Sequence, residues 1–204
     1  DRLEAMDKFL SREQQELSKL KIDGKPRLVR GVAGSGKTVV LANVVAAYIK
    51  KLLLEGKQWE FAFDGNMTEN IKVAVICYNK TLVPLIKEKI SIAFKSMTGE
   101  ELPWDKLLFI KHFDGMVSKL LVKNQVINND IWEIRDIDKR SDYLSDKWKE
   151  YKEKNINWDN ITKFDAIFVD EGQDMSENEY VLLKDLLKPG RQDNTNLIIF
   201  YDDA

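Results

Sequence analysis

The sequence predicts an α/β fold, a parallel β-sheet flanked by helices, and three observations carry that expectation. Short apolar runs rich in β-branched residues alternate with longer segments of helical periodicity. Several of the runs, KVAVICY among them, are apolar almost throughout, as strands buried on both faces of a sheet must be. With 204 residues, 44% of them hydrophobic and 32% charged, the chain can fill one core and solvate its surface, so one domain over residues 1–204 is expected.

The elements follow in chain order. A helix is expected near Arg12–Leu20, with Ser11 as its N-cap and acidic residues in its first turn. A strand near Arg27–Gly31 (RLVRG) precedes a long helical run near Lys37–Leu54. Polar residues around Gly56–Asn70 suggest a loop, in which Trp59, Phe61 and Phe63 alternate as packing residues of a short strand would. Next come a strand near Lys72–Tyr78, a helix near Thr81–Phe94, a strand near Leu107–Lys111 and a helix near Phe113–Val122. The charged stretch of approximately 124–161 is expected as a small insertion with a helix near Asp142–Lys152. Its Tyr143, Trp148 and Tyr151 either tuck against the core, the plainer expectation, or form an aromatic platform for bases. A strand near Asp165–Asp170, a helix near Glu177–Leu187 capped by Ser176, and a strand near Asn196–Tyr201 complete the pattern.

Composition excludes several classes of function. One cysteine, Cys77, permits no internal disulfide, and with one histidine, His112, a zinc site of the usual Cys/His kind cannot be assembled. Cys77 reads as a small core residue and His112 as a strand-end packing or hydrogen-bonding residue; no nucleophile elbow accompanies the histidine. The 32 basic residues against 34 acidic ones leave a net charge of −2, so any contact with nucleic acid has to be local. No apolar run approaches the roughly 20 residues of a membrane span, and no signal pattern opens the chain, so a cytoplasmic protein with no membrane partner is expected.

The chemistry is concentrated in two places. Gly31–Thr38 reads GVAGSGKT, the G-x-x-x-x-G-K-[ST] pattern, set between an expected strand and an expected helix. Gly31, Gly34 and Gly36 let successive backbone N–H groups turn inward, Ser35 adds another, and the positive end of the following helix stands behind them. Such a P-loop is shaped for the phosphates of ATP, with Lys37 reaching the β- and γ-phosphates and the Thr38 hydroxyl ligating Mg²⁺. The second place is DAIFVDEGQD, where Asp170 and Glu171 fall at the carboxyl end of an expected buried strand, the end at which ligands gather in open α/β sheets. Asp170 is expected to hold the metal, and Glu171 to act as general base toward the attacking water.

The string Asp170-Glu171-Gly172-Gln173-Asp174 is D-E-x-Q-D and resembles motif II of the UvrD/Rep-like helicases of superfamily 1. Leu10–Gln14 (LSREQ) is similar to that family's L-N-x-E-Q motif, which implies that Gln14 reads the adenine edge; the resemblance also adds Gln173 to the catalytic set. Cys77–Leu82 (CYNKTL) is similar to motif Ia, which implies DNA-backbone contacts for Asn79 and Lys80. His112–Met116 resembles the T-F-H-x-L of motif Ib only at Phe113, which implies a base stacked on that ring. NLIIFYDDA resembles the start of motif III, with Asp202 matching and Tyr201 replacing a glycine; Ala204 stands one position before the family's glutamine, implying a chain cut within that motif.

The resemblance therefore implies a RecA-like ATP-binding domain of a helicase or translocase. Its expected cofactors are ATP and Mg²⁺, and its expected partners are single-stranded DNA, with RNA as the alternative, and a second RecA-like domain that supplies arginines to the nucleotide cleft. The insertion is shorter than the helical subdomain of typical members. A nucleotide-gated binding module without unwinding activity is the competing expectation, and a small-molecule kinase on the same chassis a remoter one.

Overall fold

Five apolar runs pair side by side, all in parallel, in a computed structural model that describes residues 12–31, 36–63, 71–154, 161–189 and 195–202. The strands are β1 (Arg27–Gly31), β2 (Val73–Cys77), β3 (Leu108–His112), β4 (Ala166–Asp170) and β5 (Leu197–Asp202), in the spatial order β1-β5-β4-β2-β3. Each lies within one residue of its expected position. The α/β fold class read from the sequence is the one observed, a five-stranded parallel sheet flanked by helices.

Strand alternation sends side chains to two separate cores. From β2, Val73, Val75 and Cys77 join Ala166, Phe168, Ile198 and Phe200 on one face, where α2 (Lys37–Phe63) and α3 (Leu82–Thr98) cover them. Ala74, Ile76, Ile167, Val169 and Leu197 face the other way. There they meet α5 (Phe113–Met116) with its π-helical continuation Val117–Val122, α6 (Ile137–Lys154) and α7 (Glu177–Asp185). Every residue of β2 and β4 is buried, which is why both runs are apolar without alternation. The remaining helical pieces are α1 (Arg12–Leu17), α4 (Trp104–Leu107) and a 3₁₀ turn at Asn129–Glu133.

The structure corrects the sequence in several places. The helix from Lys37 does not end at Leu54 but runs through Gly56 to Phe63, so the alternation of Trp59, Phe61 and Phe63 lies in a helix, not in a strand or loop. One interior glycine costs a helix only about 1 kcal/mol, and the leucines, Glu55, Lys57, Gln58 and Glu60 around it are good helix formers. The helix of the charged stretch opens five residues before Asp142, and its Leu144, Trp148 and Tyr151 recur at helical spacing on one buried face. Trp148 and Tyr151 stack at 5.9 Å between ring centroids, and the indole N–H donates to Asp185 Oδ2 at 2.7 Å. These two aromatics belong to the core and present no platform to solvent.

Ser176 caps α7 as expected: its hydroxyl accepts from the Glu179 N–H at 3.3 Å, while Glu179 Oε2 accepts from the Ser176 N–H at 2.8 Å. Cys77 is fully buried, and among the described residues no group of three or more His, Cys, Asp and Glu side chains gathers where it could hold a metal. Among the same residues no helix is long and apolar enough to cross a membrane.

Candidate nucleotide site

The site forms where β1, β5 and β4 end together. Gly31 closes β1; Gly34 and Ser35 lie outside the described residues; Gly36 then stands at the head of α2. Gly36 has φ +79°, a left-handed conformation that side chains disfavour, and its carbonyl accepts from the N–H groups of Val39 and Val40 at 2.9 and 3.1 Å. A Cβ at Gly36 would come within 2.6 Å of Gln14 Nε2, so the Gln14 amide lies directly against Gly36. α2 has no acidic residue in its first turn, so no side chain of its own offsets the positive dipole at its amino end.

The first two residues of α2 turn toward the carboxylates. Lys37 is buried, 9% exposed, and forms an ion pair with Asp202 at the end of β5. Thr38 Oγ1 donates to Asp170 Oδ2 at 3.3 Å. Lys37 and Asp170, 133 positions apart in the sequence, thus stand on the same side of the molecule.

Asp170 is fully buried at the end of β4, and its Oδ1 has no hydrogen-bond partner among the described residues. Burial, reinforced by the neighbouring Glu171 charge, pushes its pKa from the ordinary 3.8 up to about 6; the Thr38 hydrogen bond and the Lys37 charge pull the other way. An orphaned buried carboxylate oxygen beside a threonine hydroxyl is a hard-oxygen donor set, and it fits Mg²⁺.

Glu171 follows in the left-handed region, φ 55° and ψ 47°, a conformation that costs a residue with a side chain about 1–2 kcal/mol. Gln173 Nε2 donates to Glu171 Oε2 at 2.6 Å, and Gln173 Oε1 accepts the Asp202 N–H at 3.0 Å. Gln173 therefore ties the candidate base to the backbone of β5. Between them Gly172 is locked in place: a Cβ there would fall 2.3 Å from Ile199 Cγ2 and 3.3 Å from the Phe200 carbonyl oxygen. The Tyr180 hydroxyl donates to the Gly172 carbonyl at 2.6 Å, and burial raises its pKa to about 12, so it remains a donor at neutral pH.

A lysine and a threonine at the head of a helix after β1, a buried carboxylate facing them and a parallel sheet beneath make up the site. The family model for the AAA domain matches residues 14–203. The chain belongs to the AAA domain family. No curated protein matches the chain. The AAA domain is a P-loop NTPase module that binds and hydrolyses nucleotide, and the fold and family here agree on that level of function.

The candidate nucleic-acid contacts of the AAA domain are placed less uniformly. Asn79 and Lys80 are exposed just past the carboxyl end of β2, on the nucleotide side of the sheet. Asn79 Oδ1 accepts from the Thr81 N–H at 3.0 Å and the Thr81 hydroxyl at 2.8 Å, so that side chain shapes the turn into α3. Phe113 is only 4% exposed and packs with Met116 and Val117 in the core. The expected base stacking on its ring is not available in this conformation, because the large apolar ring gains more from burial than the strand end could offer it in solvent. Two features of the site escaped sequence reasoning, the Asp202 contact to Lys37 and the Tyr180 clasp on Gly172. Asp202 had a signal, its match to motif III; Tyr180, in the middle of α7, had none.

Proposed function

We propose that this domain is the amino-terminal RecA-like, ATP-binding half of a UvrD/Rep-like superfamily 1 motor, coupling ATP hydrolysis to movement along single-stranded DNA together with a second RecA-like domain. The observation that carries the reading is Gln173, which holds Glu171 with its amide N–H and the end of β5 with its carbonyl. A module that only retains nucleotide needs the P-loop and Asp170. A motor also needs its hydrolytic carboxylate tied to a structural element, and D-E-x-Q-D supplies that tie.

In this reading Lys37 binds the β- and γ-phosphates and Gln14, lying over Gly36, reads the adenine edge. Thr38 and Asp170 would hold Mg²⁺, which when bound would neutralise charge on the phosphate oxygens. Glu171 accepts the proton of the attacking water, and Gln173 orients it. Lys80, exposed beyond β2, meets the phosphate backbone of single-stranded DNA, and Asn79 sets the turn that presents it.

The test is ATP turnover by the protein with and without single-stranded DNA. Stimulation by DNA, its loss on Lys37→Ala, and retained ATP binding without turnover in Glu171→Gln are the expected results; turnover indifferent to polynucleotide would remove the motor from the proposal. The buried Phe113 favours one second reading, a nucleotide-gated binding module that separates no strands. ATP-dependent strand displacement by the protein would exclude it.

A further inference from the structure

The site holds an ion pair that the proposed chemistry does not use. The Lys37 ammonium is paired with the Asp202 carboxylate, with side-chain exposures of 9% and 18%, so little water screens the contact. Sheet order makes the pair possible. β5 lies between β1 and β4, and the last residue of β5 therefore projects between the P-loop lysine and the motif II carboxylates. The backbone N–H of the same residue is engaged by Gln173, which fixes Asp202 in place while its side chain reaches Lys37.

A lysine ammonium is a single point charge with three donors. Phosphate oxygens in the loop and the Asp202 carboxylate would draw on that one charge, and each is worth more to it in a shielded site than in water. We propose that Asp202 is a positioning residue that holds Lys37 in the nucleotide-free protein and has to release it when a β-phosphate arrives, so that it sets nucleotide affinity without touching the nucleotide. This rests on the reading of Lys37 as the phosphate-binding lysine. Affinity falls by the fraction of molecules whose lysine is free: if nine-tenths are held, apparent binding is about tenfold weaker than intrinsic binding.

The experiment is isothermal titration of the 204-residue chain with ADP, ATP and AMP, using Asp202→Asn, Lys37→Met and the double variant. Asp202→Asn keeps the backbone N–H to Gln173 and removes only the carboxylate charge. Asp202→Ser is the second variant should the first fail to fold. The expected results are about tenfold tighter ADP and ATP binding in Asp202→Asn, unchanged AMP binding, and no further gain from the Asn substitution once Lys37 is Met. Unchanged or weaker ADP binding in both Asp202 variants would overturn the proposal and leave the P-loop reading standing. The same tightening in the Lys37→Met background would overturn it too, since Asp202 would then be repelling phosphate directly. A chain that binds neither ADP nor ATP would bring down the P-loop reading, and the lock with it.

Discussion

Replacing Asp170 by Asn should stabilise the nucleotide-free protein at neutral pH, although it removes a residue placed at the centre of the site. Asp170 is wholly buried, has one oxygen without a partner, and has a pKa raised from 3.8 to about 6 by burial first and the Glu171 charge second. Each unit between native and unfolded pKa is worth 1.36 kcal/mol, so keeping this carboxylate ionised in the native state costs about 3 kcal/mol. The native protein retains the Asp170 proton at pH values where the unfolded chain has lost it. This contribution therefore favours folding below about pH 4, is lost progressively as pH rises to about 6, and stays lost above that. The assay is urea denaturation at pH 4.5 and pH 7.5, without nucleotide or Mg²⁺, of the unaltered chain and Asp170→Asn. Asparagine has nearly the same shape and no charge to titrate, so between these two pH values the stability difference between the two proteins should shift by about 2 kcal/mol in favour of the variant at the higher pH, the rest of the penalty having set in below pH 4.5. Parallel pH profiles would refute the argument, since burial of Asp170 would then carry no charge penalty.

Three further predictions test the frame around the site. Gly172→Ala should lower stability by about 1–3 kcal/mol in urea denaturation, because its methyl would meet Ile199 and the Phe200 carbonyl, neither of which can withdraw from β5. Trp148→Ala should cost about 3–5 kcal/mol by the same measurement, since it empties a core position and removes the hydrogen bond to Asp185. Ser176→Ala should cost about 0.5–2 kcal/mol through loss of the α7 cap, visible as a lower thermal midpoint, and the contact to the Ser141 hydroxyl at 2.6 Å goes with it.

Much of the fold was legible because its signals are local. Each strand is a short apolar run whose period or continuity identifies it, and the cap at Ser176 is written in four residues. The helix from Lys37 is longer than its local sequence suggests, because Gly56 and the charges after Leu54 look like punctuation, whereas an interior glycine is tolerated when the residues around it favour the helix. The aromatics of α6 carried no local sign of whether they face the core or solvent; only packing against α7 and the sheet answers that. Phe113 misled for a related reason, since a motif position names a residue type and leaves its burial to the neighbouring elements.

The sequence by itself determined the parallel α/β architecture, the phosphate-binding loop and the two acids at the end of β4, because strand period and loop chemistry depend on residues near one another in the chain. Tertiary structure decided that β5 lies between β1 and β4, that Asp202 meets Lys37, and that Gln173 joins Glu171 to β5. Those contacts join positions as many as 165 residues apart. Which strand ends meet depends on the order in which the strands pair, and that order minimises the free energy of the whole sheet and both its cores.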